Sequence, residues 1–445
     1  MMKALSLRAL AVASFGGALA LAATAQTTIV PALSSRPNAP YTLYLNFGGF
    51  NYDVAWGGTG KTPGVTPRYD SDDNTANFSD VEIGNIRNIW ARTAQKFSVF
   101  GINVTTLDPA IAAGQATNDT TRRLYYDATP RLHHNVIGGT GSWYGSAGGV
   151  SYVNTTQNGN AFSGAHTNWS FSERFGNGGN LRAIAEVSAH ECGHGLGCSH
   201  QHDETNRATT YSSNGGSSGP GSFAPIMGNS YGSQRGLWRY GATGTGTAYQ
   251  NDVARILANS GMGGFVDAGI GDSIATATPL PLLGSSVDFT LASGIITPIS
   301  TTNPNPLGVG SYTQDYFSFS TNGGTVTLTS NDGSQFLTPG VADPGATLDS
   351  ELEILDGLGN VVGAGLASAD TLKDTFTGTL AAGTYYARIS SIGGYDSTRE
   401  ANGHYYTMGS YFLTGSGFAP VPEPATLAAL GFGALALLRR RRKAC

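Results

Sequence analysis

The sequence predicts an α+β domain followed by an all-β domain. Apolar residues recur at helical spacing between residues 81 and 97, and strand-like stretches lie on either side, at residues 41–47 and 100–106. Between residues 315 and 413, short alternating or β-branched runs are separated by Gly, Asn and Asp turns, which is the pattern of a β-sandwich. A chain of 445 residues is long enough to bury two hydrophobic cores.

Residues 1–25 have the pattern of a secretory signal peptide. Lys3 and Arg8 precede an apolar stretch at residues 9–22, and Ala-Thr-Ala at residues 23–25 supplies small residues for signal-peptidase cleavage. The apolar stretch is shorter than the roughly 20 residues of a membrane-spanning helix. Cleavage and export are therefore favoured over a signal anchor.

The predicted α+β domain covers residues 26–268. The strand at residues 41–47 comes first, followed by the helix at 81–97 and the strand at 100–106. A further helix leads from residues 181–189 into residues 190–194, and residues 249–256 predict the helix that closes the domain. Residues 269–283 have no clear periodicity, which predicts a linker to the all-β domain at residues 284–415.

The most informative segment, residues 190–200, reads His-Glu-Cys-Gly-His-Gly-Leu-Gly-Cys-Ser-His, which is HExxHxxGxxH without a mismatch. His190 and His194 are four residues apart, so on a helix both imidazoles project from one face towards one metal ion. Gly197 can take the positive φ that turns the chain and returns His200 as third ligand. Three neutral imidazoles leave one position for water, which predicts a catalytic Zn²⁺. Glu191 is placed to act as general base.

This motif resembles that of the metzincin metallopeptidases, in which a methionine turn lies beneath the zinc. Residues 224–231 read Ala-Pro-Ile-Met-Gly-Asn-Ser-Tyr, so the resemblance assigns Met227 to the apolar floor under the histidines. It also implies a twisted mixed sheet with long helices and a zinc cleft, covering about residues 40–265. Residues 148–153 resemble the edge strand that binds extended substrate in these enzymes; the residues concerned are Gly149, Val150, Ser151 and Tyr152.

Other residues near the motif have two interpretations each. Several metzincin families carry a tyrosine two residues after the methionine as extra ligand or oxyanion donor. Tyr231 comes four residues after Met227, so either it has that role or it packs in the core. Asp203 either orients a ligand histidine through a hydrogen bond or is a solvated loop carboxylate. Cys192 and Cys198 would lie about 9 Å apart on a helix, so we expect small buried side chains rather than a disulfide.

The all-β domain resembles the pre-peptidase C-terminal domain of secreted bacterial peptidases. The resemblance rests on Asp-Tyr-Phe-Ser-Phe at residues 315–319, Gly-Thr-Val-Thr-Leu at 324–328, Leu-Glu-Ile-Leu-Asp-Gly at 352–357 and Gly-Thr-Tyr-Tyr-Ala-Arg-Ile at 383–389. Such domains act as accessory binding or spacing modules. Asp315, Asp349 and Glu351 can supply oxygen ligands for a structural Ca²⁺, although these residue types more often serve in turns or face solvent.

The final segment, residues 416–445, carries a second sorting signal. Val-Pro-Glu-Pro-Ala-Thr-Leu at residues 421–427 precedes an apolar stretch at 428–438 and five basic residues at 439–443. This order resembles the PEP-CTERM signal, which an exosortase-type system processes. The resemblance implies transient anchoring in the inner membrane, release to the cell surface or the medium, and an exopolysaccharide matrix as a further partner.

The composition excludes nucleic acid as a partner. The net charge is −5, although seven of the basic residues lie in the two terminal signals, so the central part is acidic.

Taken together, the sequence predicts a secreted or surface-associated zinc endopeptidase acting on protein or peptide substrates. A noncatalytic zinc-containing surface or matrix protein is the alternative, and a zinc hydrolase of non-peptide bonds would have the same motif. Glu191 disfavours a purely structural zinc, because such a site needs no base.

Overall fold

The computed structural model describes residues 29–115, 118–155, 165–213, 221–261, 263–300, 311–333, 343–368, 372–393, 395–396 and 404–420. The expected signal peptide lies outside the described residues, as does the expected sorting segment beyond residue 420. Among the described residues, no helix has the length and apolar content needed to cross a membrane.

Helices and strands alternate in the first part of the chain, and strands dominate the second part. The α-helices are α1 (Asp80–Lys96), α2 (Pro109–Ala112), α3 (Asp119–Ala128), α4 (Leu181–Gly195) and α5 (Asp252–Ser260). The strands of the first part are β1 (Tyr41–Asn46), β2 (Phe50–Tyr52), β3 (Gly64–Thr66), β4 (Ile102–Thr105), β5 (Leu132–Ile137), β6 (Gly149–Val150), β7 (Thr167–Ser170), β8 (Phe223–Pro225), β9 (Arg235–Leu237), β10 (Arg239–Ala242) and β11 (Tyr249–Asn251). The strands of the second part are β12 (Thr278–Pro279), β13 (Leu282–Leu283), β14 (Ser286–Val287), β15 (Ser293–Ile296), β16 (Asp315–Thr321), β17 (Gly324–Asp332), β18 (Ser350–Leu355), β19 (Val361–Ala364), β20 (Leu366–Ser368), β21 (Lys373–Leu380), β22 (Gly383–Ser391), β23 (Tyr395–Asp396), β24 (His404–Tyr405) and β25 (Gly409–Ser416). Single turns of 3₁₀ helix lie at Ser172–Arg174 and Ile274–Thr276.

A five-stranded sheet forms the centre of the first part, in the order β4-β1-β5-β7-β6. Its first four strands run parallel to one another. Strand β6 runs antiparallel to β7, with Gly149 opposite Ser170 and Val150 opposite Trp169. Because β6 is the last strand in this order, its outer edge faces away from the sheet.

Two long helices cover one face of this sheet. Helices α1 and α4 pack against each other, and Leu43 and Leu45 of β1 lie in the same hydrophobic core as their buried side chains. Tyr44, on the alternate face of β1, packs instead with Tyr126 of α3. The period-2 alternation of a strand therefore separates two apolar layers.

Helix α1 is the helix expected at residues 81–97, and its start is encoded locally. The Ser79 N–H donates to the Glu82 carboxylate at 2.9 Å, and the Glu82 N–H donates to the Ser79 hydroxyl at 3.4 Å. This reciprocal capping box satisfies two N–H groups at the helix start. Ile86 and Ile89 then face the core.

The expected closing helix at residues 249–256 begins later than predicted. Residues Tyr249–Asn251 form β11, which pairs with β10, and α5 starts only at Asp252. The Asn251 side chain accepts a hydrogen bond from the Ala254 N–H at 3.1 Å, and the Asn251 backbone is extended. An N-cap residue has non-helical dihedral angles, so the helix cannot include the residues before it.

The second part is a β-sandwich of two sheets. One sheet has the order β12-β16-β22-β18-β19, and the other has the order β13-β14-β25-β17-β21-β20, with β15 also pairing with β25. Val326 and Leu328 of β17 and Leu352 and Ile354 of β18 come from opposite sheets and are fully buried in one core. The alternation read in the sequence thus corresponds to inward-facing side chains of a sandwich.

The sandwich begins before residue 284, so the expected linker boundary is wrong. Strands β12 and β13 both lie within residues 269–283. Strand β12 pairs with β16, and strand β13 pairs with β14. Leu280 lies between them, is buried in the core, and donates its N–H to the Ser318 carbonyl at 2.8 Å. Two-residue strands are too short to produce a recognisable alternation, which explains the error.

A third sheet joins the two parts of the molecule. Its order is β11-β10-β24-β23, so β24 pairs with β10 of the first part, with Tyr405 opposite Arg239. Strand β24 ends at Tyr405, and Tyr406 donates its N–H to the Trp238 carbonyl at 3.0 Å. Strand β25 then returns to the sandwich.

Candidate metal centre

The HExxH part of the histidine motif lies on α4, a helix with defined ends. The Asn180 side chain caps its start by accepting a hydrogen bond from the Ala183 N–H at 3.2 Å. At its end, the Gly197 N–H donates to the His194 carbonyl at 2.8 Å and the Cys198 N–H donates to the Gly193 carbonyl at 3.0 Å. Gly197 has φ +92°. This pair of bonds around a left-handed residue is a Schellman motif, and it reverses the chain after the helix.

The reversal brings His200 back to His190 and His194. One ring nitrogen from each residue lies within 4.8 Å of the other two, and the rings of His194 and His200 have their centroids 4.7 Å apart. The Nε2 atoms of His194 and His200 are 3.1 Å apart. Three imidazoles from one helix and the turn that follows it thus converge on one point.

Backbone carbonyls fix the orientation of two of these rings. The Nδ1 atom of His190 lies 2.7 Å from the Ile226 carbonyl oxygen, and the Nδ1 atom of His194 lies 2.7 Å from the Cys198 carbonyl oxygen. A carbonyl oxygen only accepts, so Nδ1 must carry the hydrogen in both rings and the lone pair is on Nε2. Burial lowers the pKa of all three imidazoles to about 3, and neighbouring imidazoles add to the shift. All three are therefore neutral at pH 7.

Met227 lies beneath the histidine-bearing helix in a tight turn. The Gly228 N–H donates to the Pro225 carbonyl at 2.9 Å, which closes the turn, and the Gln201 N–H donates to the Met227 carbonyl at 2.7 Å. The Met227 side chain is fully buried. A Cβ on Gly193 would lie 2.5 Å from the Met227 sulfur, so the helix rests directly on this side chain.

Glu191 is buried beside the histidines with one carboxylate oxygen unsatisfied. Its side chain is 4% exposed, and Oε2 has no hydrogen-bond partner among the described residues. Burial raises the pKa of this carboxyl well above its usual range. An opposite charge beside the carboxyl would favour its ionised form.

The histidines and Glu191 line one open cleft. Its other described lining residues are small or tyrosine side chains, apart from one asparagine: Tyr144, Ala147, Gly148, Gly149, Val150, Ser151, Tyr211, Gly228, Asn229 and Tyr231. Glu191 is the only carboxylate among these lining residues, and none of them is Lys or Arg. The edge strand β6 thus forms one wall of the cleft, as expected for residues 149–151.

Of three further sequence candidates, Tyr152 and Asp203 are not among the described residues that line the cleft. Tyr152 packs on Trp56, with ring centroids 4.4 Å apart and the ring planes tilted by 40°. Asp203 accepts hydrogen bonds from the Thr205 N–H and hydroxyl within its own loop, while backbone carbonyls hold the rings of the ligand histidines. Tyr231 does line the cleft, and its ring packs on Phe175 with centroids 5.3 Å apart.

Sequence reasoning missed a buried ion pair behind the site. Lys96 of α1 and Glu186 of α4 form an ion pair at 2.7 Å with both side chains at most 2% exposed. Glu186 also accepts from the Ser230 hydroxyl at 2.8 Å and from the Gly236 N–H at 3.1 Å. This carboxylate therefore joins the histidine-bearing helix to the segment after Met227. The sequence does contain a signal for Glu186, because this residue lies four positions before His190 and therefore about one turn away on the same helix.

Tyr211 was also missed, and no local pattern marks it. Its ring lies over His200 with centroids 4.4 Å apart and at 6.4 Å from the ring of His190. The residue belongs to a Gly- and Ser-rich insertion between His200 and Met227. Only the path of that insertion in three dimensions brings the side chain to the histidines.

The two cysteines near the histidines are not bridged. Cys192 and Cys198 are both buried free thiols, which confirms the prediction against a disulfide.

Two of the three candidate calcium ligands have other polar partners. Asp315 accepts a hydrogen bond from the Tyr411 hydroxyl at 2.6 Å, and Asp349 pairs with Arg235 at 3.4 Å. Within the described residues, neither of them nor Glu351 belongs to a group of three metal-ligating side chains.

The donor set fits zinc. A tetrahedral zinc with bonds of 2.0–2.1 Å holds its ligand nitrogens about 3.3 Å apart, close to the 3.1 Å between His194 and His200. The Nε2 lone pairs of His190 and His194, left free by the bonds at Nδ1, are donor atoms of the kind that zinc takes from imidazole. The unsatisfied, buried oxygen of Glu191 is a second indication that a polar species belongs at this point.

Comparisons with known proteins identify the C-terminal end. Residues 420–443 match the PEP-CTERM protein-sorting motif, which confirms that part of the sequence prediction. No curated protein sequence matches the chain. The pre-peptidase C-terminal domain of a collagenase from Bacillus anthracis is structurally similar over 30% of this chain and 90% of its own, at 13% identity and a TM-score of 0.17. That TM-score is too low to support a conclusion about function.

The sorting motif has a direct consequence for location. A PEP-CTERM segment is recognised by exosortase machinery, which processes a tail that anchors the protein in the membrane. The chain is therefore an exported protein that carries a PEP-CTERM sorting signal and is directed to the cell surface.

Proposed function

We propose that the protein is a zinc-dependent endopeptidase of the metzincin type, acting on protein or peptide substrates at the cell surface. The observation that carries the proposal is the convergence of His190, His194 and His200 beside the unsatisfied Glu191 carboxylate in an open cleft. A structural zinc site uses four protein ligands, whereas this one offers three and a base. The PEP-CTERM signal agrees with action outside the cytoplasm.

In the proposed reaction, His190, His194 and His200 would hold zinc through one ring nitrogen each, and bound zinc would supply a water of lowered pKa and polarise the substrate carbonyl. Glu191 is the base that takes a proton from the attacking water, and it returns that proton to the departing amine nitrogen. The carbonyls of Ile226 and Cys198 keep two imidazoles in the required tautomer throughout.

Strand β6 is placed to bind an extended substrate in the cleft. It is the edge strand of its sheet and lines the cleft together with Ser151. An extended peptide can add to such an edge through main-chain hydrogen bonds, which bind without regard to side chains. Because the described lining has no basic residue and no carboxylate besides Glu191, we expect substrates with uncharged residues beside the cleaved bond.

The first test is the Glu191→Gln variant. We expect the wild-type protein to bind one zinc per chain and to cleave an unfolded protein substrate. The variant should keep the zinc but lose at least about 10²-fold in kcat, because the amide cannot take the proton. Metal content is measured by elemental analysis and cleavage by appearance of new amino termini.

Glu351→Gln, on β18 of the sandwich, is the matched control and should be fully active. Equal turnover by Glu191→Gln and the wild type would overturn the proposed mechanism. One zinc per chain without cleavage of any protein substrate would instead favour the noncatalytic matrix protein or a hydrolase of another bond.

A further inference from the structure

Among the described residues, Tyr211 is the tyrosine whose ring contacts the histidines. Its ring centroid is 4.4 Å from that of His200, with the planes tilted by 52°. Its side chain is 50% exposed and lines the same cleft as Glu191. A phenol in this place is next to the proposed metal ligands and still reachable by a substrate.

The position of Tyr211 is set by backbone bonds to both neighbouring segments of the site. The Ser212 N–H donates to the Gln201 carbonyl at 2.9 Å, and the Ser212 carbonyl accepts from the Asn229 N–H at 2.8 Å. Ser212 itself is fully buried. Tyr211 is therefore tied to the residue after His200 on one side and to the turn that holds Met227 on the other.

Tyr231 has different surroundings, although the sequence made it the candidate. Its ring contact among the described residues is with Phe175, at 5.3 Å between centroids, and no contact with a histidine ring is observed for it in that set. A tyrosine hydroxyl can donate one hydrogen bond, so the surroundings of the two rings, rather than their chemistry, distinguish the two residues.

We propose that Tyr211, supplied by the insertion between His200 and Met227, donates its phenolic hydrogen bond to the substrate carbonyl oxygen as that oxygen gains negative charge. This inference rests on the proposed peptidase function. The phenol keeps its proton throughout: the oxygen charge forms when water adds to the carbon and disappears when the carbon–nitrogen bond breaks. A preorganised donor at such a point stabilises the transition state more than the ground state.

The test compares Tyr211→Phe with Tyr231→Phe, since each removes one hydroxyl and keeps the ring. Zinc content, kcat and KM on a fluorogenic peptide, and the Kd of a peptidyl phosphinate are measured for both. The phosphinate carries a tetrahedral anionic centre, so its binding reports the hydrogen bond without turnover. We expect Tyr211→Phe to keep one zinc while kcat falls about 10²-fold and phosphinate Kd rises by a comparable factor. KM should change little, and Tyr231→Phe should keep kcat and phosphinate Kd closer to the wild type than Tyr211→Phe does.

Unchanged kcat and phosphinate affinity in Tyr211→Phe would overturn the inference, as would a large loss in Tyr231→Phe alone. Loss of zinc from Tyr211→Phe would also overturn it, because the hydroxyl would then support the metal site rather than the substrate. A wild-type protein that holds zinc and cleaves no peptide would overturn the proposed function itself, which is a separate outcome.

Discussion

Gly149 keeps the wall of the cleft clear of the Glu191 carboxylate. A Cβ at this position would lie 2.6 Å from Oε1 of Glu191 and 2.7 Å from the Trp169 carbonyl oxygen. The backbone of β7 cannot retreat without breaking the pairing of Gly149 with Ser170. Glu191 would therefore have to move, and the orientation of a general base decides its efficiency.

We predict that Gly149→Ala lowers kcat/KM by about 10²-fold, because displacement of a catalytic group by about 1 Å can cost that much. Zinc content should stay at one per chain, since the atoms nearest to the added Cβ belong to Glu191 and Trp169 rather than to a histidine. Gly84→Ala is the control, as its Cβ would meet nothing within 4 Å on helix α1. Steady-state kinetics with metal analysis checks both variants, and a fully active Gly149→Ala would refute the argument.

At the scale of the element, the end of α4 determines whether the third histidine reaches the other two. Gly197 is the left-handed residue of the Schellman motif, and its φ of +92° is costly for any residue with a Cβ. A Cβ there would also lie 2.6 Å from the Asn259 side-chain nitrogen. The geometry of one helix end thus sets the ligand set of the metal.

We predict that Gly197→Ala loses about 1–2 kcal/mol of folding free energy, the cost of a left-handed conformation. If the strain is relieved by moving His200, the Kd for zinc should rise about tenfold, since 1.4 kcal/mol corresponds to that factor. Chelator competition measures the Kd and thermal unfolding measures the stability. Gly246→Ala, in an exposed loop with nothing within 4 Å of its Cβ, should change neither. Wild-type values for Gly197→Ala would contradict this account.

At the scale of the whole molecule, the sandwich is joined to the α+β part through buried polar contacts. Arg235, 1% exposed, donates to the carbonyls of Ala346, Thr347 and Leu348 at 2.8–3.2 Å. These bonds, together with the pairing of β10 and β24, connect the sandwich to the segment of the α+β part that follows Met227. A spacer module would not need such contacts.

We predict that Arg235→Met destabilises the protein by about 3 kcal/mol or more, because it removes the hydrogen-bond donors of three buried carbonyls and the ion pair with Asp349. Denaturant unfolding should show a lower midpoint, and limited proteolysis should separate the two parts. Arg87→Met, on the exposed face of α1, is the matched control and should behave like the wild type. If both variants were equally stable, the junction would contribute nothing to the fold.

Several elements could be predicted because their signals are local. Helix α1 has a capping box and a helical apolar period within its own residues, and β16, β17 and β22 are at least seven residues long and include alternating stretches. Short elements lack such local signals. Strands β12 and β13 have two residues each, and β11 lies directly before a helix cap, so their pairing depends on distant partners. Tyr211 likewise reaches the site only through the fold.

The sequence by itself determined the sorting signal and the HExxHxxGxxH spacing on which the proposed metal site and base rest, because each depends on spacing within fewer than 30 consecutive residues. The helical period places His190 and His194 on one face, and a glycine permits the turn to His200. Tertiary structure alone decided which carbonyls orient the imidazoles, which tyrosine approaches them, and how the sandwich joins the cleft domain. Those contacts join residues tens to hundreds of positions apart, as between Arg235 and Leu348, and only packing of the whole chain brings such residues together.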